Sequence, residues 1–445
     1  MRALERDDPY TERYFKLLEN NVLGHSGVKL QMKVRDPNGQ FDKVANNIIE
    51  QAWEKWCSKK NCNVTGQLTL HESARIVLRS AARDGGILVR KVKGYGNDFR
   101  FAIQLIEIDH LDVYYNVPTM ANGNEVRMGV ELDQWKKPVA YYLWTRHPGD
   151  WYSTSGFKRE RISAEEMLHV YNPRRTLQTV GIPWLASSML RLKMLSGFEE
   201  AALVASRAGA CQGGFLQSET PEGYTGDGTD SQGNPIMEVE PGTITDLPMG
   251  KTFVAHNPAY PHVNYGEYIK AALRGVASGG GVSYNSLAND LEGVNYSSIR
   301  AGVMEDREEW KQIQNWLIEA FYRPVFQEWL PLAILSGQIR LPFSKLEKFS
   351  ADTWAARRWG WVDPLKDIQA TTLAVNNLLE TRTENIAETG RDIEDVFEQL
   401  AEEKKLMEEY DLEPAPMPGQ TVIPDKEEPI TGDKTKPSKL TPPEE

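Results

Sequence analysis

Between Ser297 and Leu330 the chain reads SSIRAGVMEDREEWKQIQNWLIEAFYRPVFQEWL, with Ile299, Val303, Trp310, Ile313, Leu317 and Phe321 recurring at helical spacing. The pattern predicts an amphipathic helix of about three dozen residues, well past the usual length, and a fold must be arranged around such a rod. Pro324 falls inside it and should act as a hinge. A mid-helix proline removes one hydrogen bond and crowds the preceding turn.

The elements before the rod change period several times. DKVANNIIEQAWEKWCSK, from Asp42, places Val44, Ile48, Ala52 and Trp56 four apart, and Leu70, Ala74, Val77, Leu78 and Ala81 mark a second helix that stops at Asp84-Gly85-Gly86. ILVRKV and RFAIQLIEID then read as strands, joined by a hairpin turn at Gly94-Tyr95-Gly96-Asn97-Asp98. The first 180 residues or so predict one α+β domain. A helix starting at Pro183 follows, with a Leu185, Met189, Leu192, Leu195, Phe198 stripe and a second half of small residues.

From Cys211 to Pro258 glycine, proline and threonine dominate, and seven acidic residues stand against the single basic Lys251. This predicts a small acidic β module. Beyond it, YGEYIKAALRGVAS reads as a short helix. ASGGGVSYNSLANDLEGVNYSSIR then reads as a polar loop, hinged at Gly279, Gly280 and Gly281 and leading into the rod. A last helical set starts at Asp363-Pro364, and residues 413–445, rich in Pro, Thr, Lys and Glu, predict a disordered tail.

A chain of 445 residues with a formal net charge of −12 is not built to coat nucleic acid, which takes clustered Lys and Arg, although it can let nucleic acid pass. Three cysteines supply no disulfide scaffold and no zinc set, and no metal or cofactor is expected. The start lacks the apolar core of a signal peptide, and the longest apolar run is too short for a membrane span. A soluble protein is therefore expected.

Catalytic motifs are missing in the same way. Gly250-Lys251-Thr252 lacks the earlier glycine of a phosphate loop, since Thr245 stands there, so a nucleotide-hydrolysing motor using Lys251 is the weaker alternative. HESAR at His71 has Arg75 where a zincin has its second histidine. Asp109 and Asp112 read as a surface turn. The twelve tryptophans read as packing rather than base-stacking residues. The expectation is a protein without enzymatic activity.

Taken in order, these elements resemble the portal proteins of tailed bacteriophages, specifically the lambda-type family, over about residues 10–412. The resemblance rests on SAARDGGILVR, HVYNPRRTLQTVGIPWLASSM, YIKAALRGVASGGGVSYNSLANDLEGVNYSSIRAG and RRWGWVDPLKDIQA, most specifically on Asn295 to Gly302 and Trp361 to Asp367. It implies an α+β portal-type fold. Residues 1–182 would be the wing, 183–210 and 264–277 the two stem helices, 211–263 the clip, 278–296 the tunnel loop, 297–345 the kinked helix and wing return, 346–412 the crown, and 413–445 the tail.

The resemblance also implies a dodecameric ring at the portal vertex of the virion, assembled in the host cytoplasm, through which double-stranded DNA enters and leaves. Expected partners are the large terminase subunit, major capsid protein and scaffold, and head-completion or tail-adaptor proteins. A head–tail adaptor ring that never meets terminase is the other alternative. Ser283, Tyr284, Asn285, Ser286, Asn289, Asp290 and Asn295 would face DNA in the tunnel loop. Glu219, Glu222, Asp227, Asp230, Glu238 and Glu240 would face terminase and connectors from the clip.

Overall fold

The computed structural model describes residues 1–150, 158–210, 214–218, 228–229, 231–232, 235–236, 251–255, 264–293, 295–359, 364–388 and 393–412. Met1–Trp359 forms one compact unit and Gly360–Glu445 another. The six acidic clip candidates, Glu219, Glu222, Asp227, Asp230, Glu238 and Glu240, lie outside the described residues, as do Trp361 and the tail from 413.

In chain order the larger unit opens with helices α1 (Arg2–Asp7) and α2 (Pro9–Leu18), strand β1 (Lys29–Met32), and helices α3 (Lys43–Trp56), α4 (Lys59–Cys62) and α5 (Leu70–Asp84). Strands β2 (Ile87–Lys93), β3 (Phe101–Glu107), β4 (Glu125–Arg127), β5 (Val130–Leu132), β6 (Pro138–Trp144), β7 (Arg159–Ser163) and β8 (Met167–Val170) follow. Next come α6 (Met189–Ala210), β9 (Gly214–Ser218), β10 (Gly228–Thr229), β11 (Pro235–Ile236), β12 (Lys251–Ala255), α7 (Tyr265–Gly280) and α8 (Tyr284–Ala288). The rod is α9 (Tyr296–Leu317) and α10 (Arg323–Leu335), and the unit closes with α11 (Leu346–Phe349) and β13 (Asp352–Ala355).

Local chemistry explains the boundaries. The Asp8 carboxylate accepts from the Thr11 N–H at 2.7 Å and Pro9 opens α2, a good N-terminal pairing. Thr69 and Glu72 form a capping box on α5, which ends where Gly85 turns left-handed at φ 91°. The β2–β3 hairpin pairs Lys93 with Phe101 as its glycine-rich turn predicts. In α3 the buried face is Ala45, Ile49, Trp53 and Trp56; of the expected row Trp56 is buried, Ile48 and Ala52 are half-buried, and Val44 is exposed. Trp53 decides the register: its ring lies 4.9 Å from Trp56 and 5.0 Å from Trp329, more apolar area than Val44 could bury.

The sheets run in the orders β3-β2-β8 and β4-β5-β6-β7, all antiparallel, and β1 pairs with β13. The main core runs from Tyr14 to Phe349 and so joins the N-terminal helices to α9 and α10. Trp310 and Trp329 are buried in it and Trp354 packs against it. Because β13 hydrogen-bonds to β1, residues 346–359 belong with the larger unit rather than with the crown expected from 346. Helix α6, expected from Pro183, begins later, at Met189: the Trp184 N–H bonds the Ala82 carbonyl at 2.9 Å, and Trp184–Ser188 form turns there.

The rod is helical from Tyr296 to Leu335, with one π-helical turn at Ile318–Tyr322 immediately before Pro324. The interruption expected at Pro324 thus sits in the preceding turn, where wider i→i+5 bonding, with the Arg323 N–H on the Ile318 carbonyl, accommodates the proline. In the smaller unit, α12 (Pro364–Asn376), α13 (Arg382–Glu388) and α14 (Ile393–Glu409) are helical, and Thr381 with Glu384 caps α13.

A second, smaller core lies around Leu111, Val130, Leu132, Tyr141, Leu143 and Ile162. Beside it Glu131 is fully buried, bonded by the Arg161 guanidinium at 2.8 Å and by the amides of Asn122 and Asn124. Chiefly through Arg161, and against the cost of burial, its carboxyl is lowered to about 2. Because the folded value is depressed, the stabilisation is full above the ordinary carboxylate range and disappears as pH falls toward 2, on the order of 3 kcal/mol in all. Acid titration monitored by near-UV circular dichroism should show this lobe loosening between about pH 4 and 2. Glu131→Gln should flatten that phase, and a wild-type signal unchanged down to pH 2 would refute the assignment.

Candidate tunnel-loop site

The segment between α7 and the rod is built differently from the hinged loop expected of it. Helix α7 continues through Gly279 and Gly280, and only Gly281, at φ 67°, leaves it, its N–H on the Ala277 carbonyl. The first two glycines are therefore packing residues rather than hinges. A Cβ on Gly279 would sit 2.3 Å from Ser188 Oγ, and one on Gly280 would sit 3.0 Å from both Leu185 and Tyr14. They let α7 lie close against the turns that precede α6 and against α2.

After Gly281 the chain forms α8, with Leu287 buried beneath it. Asp306, only 8% exposed, fixes this helix from the rod. Its carboxylate accepts from the Ser283 N–H at 2.8 Å, the Ser283 hydroxyl at 2.7 Å and the Ser286 hydroxyl at 3.0 Å. From α2, the Arg13 Nε donates to the Ser286 carbonyl at 3.2 Å. Two elements distant in sequence thus hold α8 at its start and middle.

The remaining candidates are placed as follows. The Tyr284 hydroxyl donates to Asp290 at 2.8 Å, and burial, reinforced by that carboxylate, pushes it up to about 12. Asp290 is held below its usual range, first by the Glu292 N–H and then by Tyr284 and Lys270. Asn285 is half-buried. Asn289 is exposed and left-handed at φ 53°, ending α8. Asn295 is the N-cap of α9, its side chain accepting from the Ser298 N–H at 2.9 Å. Ser283, Tyr284, Ser286, Asp290 and Asn295 are thereby engaged within the chain, and of the candidates Asn289 and Asn295 are exposed.

The neighbouring cations are engaged as well. Lys270 lies 3.7 Å from Asp290 and 3.4 Å from Glu292, and Arg274 sits over the Tyr284 ring at 5.5 Å. Asp306, Arg13, Lys270 and Arg274 were not among the residues expected at this site. Asp306 had a readable signal: in the series 299, 303, 306, 310, 313, 317 it is the one carboxylate on the apolar stripe.

Other polar clusters resolve into ion pairs. Asp112, expected on a surface turn, is 3% exposed and bonds Arg159 Nε at 2.8 Å. Among the described residues Glu107, Asp109 and His147 bring ligand atoms within 4.8 Å of one another. The Arg2 guanidinium already bonds Asp109 and lies 3.5 Å from Glu107, so a fixed cation balances that charge. Lys251 opens strand β12 opposite Ser218 instead of preceding a helix, which is not the setting of a phosphate loop. Among the described residues no helix is long and apolar enough to cross a membrane.

A profile for phage portal protein, lambda family, matches residues 1–314. A probable portal protein of Halomonas phage phiHAP-1 is 34% identical over 399 residues, covering 88% of this chain and 77% of that protein. Portal protein B of Escherichia phage lambda is 22% identical over 397 residues, covering 80% of this chain and 72% of the relative. Among solved structures, a chain from the neck of an empty GTA particle aligns at TM-score 0.46 and 12% identity, covering 88% of this chain and 92% of its own. From the profile match and the Halomonas phage relative, the chain belongs to the lambda family of phage portal proteins.

Proposed function

We propose that copies of this chain assemble into the portal-vertex ring, a channel for double-stranded DNA entering the procapsid and later leaving it, and that the ring is a dodecamer. Family membership carries this reading. In this scheme the acidic segment 211–263 docks the large terminase subunit and then head-completion proteins, the wing meets capsid and scaffold, and α8 with Asn289 borders the DNA path. The role is structural and calls for no catalytic group. Pairing Lys270 with carboxylates suits passage, because each free cation that neutralises a phosphate adds salt-dependent affinity and slows sliding.

Helix α6 supplies the physical support for a ring. One face buries Leu192, Leu195 and Ala202. On the other, Leu190, Met194, Gly197, Ala201 and Val204 repeat at spacings of four and three, and all five are exposed. An apolar seam at that period, with small residues at its centre, is what a second helix packs against. Successive copies around a ring meet front to back and would cover it.

The purified protein should give rings with a central hole in negative-stain micrographs and sediment as an oligomer. Leu190→Glu with Met194→Glu should leave a folded monomer with an unchanged circular dichroism spectrum. A wild type that remains monomeric at high concentration would sink the ring reading, and a double variant that still forms rings would remove α6 from the interface.

A further inference from the structure

The segment Tyr171–Trp184, between the last wing strand and the stem, is a framed loop with an exposed cationic tip. Gln178 organises it: its side-chain carbonyl accepts from the Arg174 N–H at 2.8 Å and the Arg175 N–H at 3.3 Å, while its amide donates to the Val180 carbonyl at 2.9 Å. The Tyr171 hydroxyl closes the loop on the Gln178 carbonyl at 2.6 Å. The root is fixed to the body from two sides. Trp316 of the rod donates to the Tyr171 carbonyl at 3.2 Å, and Gly181 lies so close to Gly85 that an added Cβ would be 1.8 Å from the Gly85 oxygen.

What this frame presents is Pro173, Arg174, Arg175, Thr176 and Leu177, all exposed. Leu177 is 67% exposed and held at φ 59°, a conformation that costs a side-chain-bearing residue about 1 kcal/mol or more. Neither arginine has a carboxylate partner among the described residues; Arg174 reaches only the Trp184 carbonyl, at 3.4 Å. A strained, solvent-facing tip with two guanidinium groups that no carboxylate neutralises contributes little to the protomer that carries it. It fits recognition of something else.

We propose that this tip is a prong that seats against a carboxylate-bearing face of a second copy of the chain and sets the rotation between neighbours; the proposal rests on the ring reading above. Three observations favour a protein partner over DNA. Arginine beside exposed Leu and Pro is the composition of a protein interface rather than of a phosphate cradle. Leu177 and Ile182 of this segment and Leu190 and Met194 of the α6 seam are exposed apolar residues within eighteen positions of the same stretch of chain. A chain with 63 acidic and 51 basic residues also offers a neighbour many carboxylates.

The test compares wild type with Arg174→Glu/Arg175→Glu and Arg174→Ala/Arg175→Ala, following ring dissociation on dilution by analytical ultracentrifugation at low and high salt. Protomer melting is measured alongside. The charge reversal should raise the dissociation midpoint at least tenfold at low salt and less at high salt, the alanine pair should raise it by a smaller factor, and melting should not change. Gln178→Ala, which unframes the tip but keeps both charges, should act in the same direction. Wild-type rings whose midpoint the charge reversal leaves within twofold would overturn the prong alone, whereas a monomeric wild type would overturn it together with the ring reading. Normal rings that bind a short DNA duplex tenfold more weakly would also overturn it, reassigning the tip to phosphate.

Discussion

Trp56→Ala is expected to cost the larger unit about 3–5 kcal/mol, a large share of the stability of an ordinary folded protein. Trp56 is fully buried, its ring stacks 5.6 Å from Phe101 and 4.9 Å from Trp53, and its indole N–H donates to the Phe101 carbonyl at 2.9 Å. Truncation therefore opens a large cavity and leaves a strand carbonyl without its donor. Trp329 is the control. It is equally buried in the same aromatic cluster, but its Nε1 has no hydrogen-bond partner. Trp329→Phe relieves that burden while removing part of a ring, so it should cost less than about 1.5 kcal/mol. Guanidinium unfolding of Trp56→Phe beside Trp329→Phe, the same truncation at both sites, decides between packing with a bonded handle and packing alone. Equal midpoints for that pair would show that the Trp56 hydrogen bond contributes nothing.

Asp306→Ala should loosen α8 without unfolding the rod. It removes the acceptor for one backbone N–H and two hydroxyls in a site with little water, a loss of about 2–3 kcal/mol for a charged acceptor. Amide exchange at Ser283, Ser286 and Leu287 should accelerate by about 10- to 100-fold, while amides of α10 keep their protection. Asp306→Asn, which retains one acceptor oxygen, should lie between the two. Under the portal reading, particles built with Asp306→Ala should package or retain DNA poorly although their rings assemble. Exchange that matches wild type would mean that Leu287 and Arg13 alone hold the segment. Removing residues 286–291 outright is a blunter experiment, because it also takes Leu287 out of the core.

Much of this was readable from residue order. The α5 stripe, its Gly85 stop, the β2–β3 hairpin and the rod follow from periodicity and turn chemistry, which act over a few residues. Residue order misleads where distant groups decide. Gly279 and Gly280 looked like a hinge because a glycine run after a helix usually is one, and only the approach of Ser188, Leu185 and Tyr14 makes them helix-packing positions. Ser283 and Asp290 read from the sequence as free polar groups, yet Asp306 holds the first and Tyr284 with Lys270 the second, while Asn295 caps α9 and stays exposed. The late start of α6 depends on a bond from Trp184 to Ala82, about a hundred residues away. Asp306 alone announced itself locally, as a carboxylate on an apolar stripe.

The pairing of β1 with β13 joins Lys29–Met32 to Asp352–Ala355, about 320 residues apart. A ribosome must therefore release most of the chain before the first strand meets its partner, so the protomer cannot be completed domain by domain as it emerges. Until then Leu30 and Met32, both buried in the finished fold, have no sheet neighbour, and the nascent protein carries an open apolar edge. Synthesis itself thus acts as a checkpoint: a truncated product ending before residue 352 lacks the closing strand.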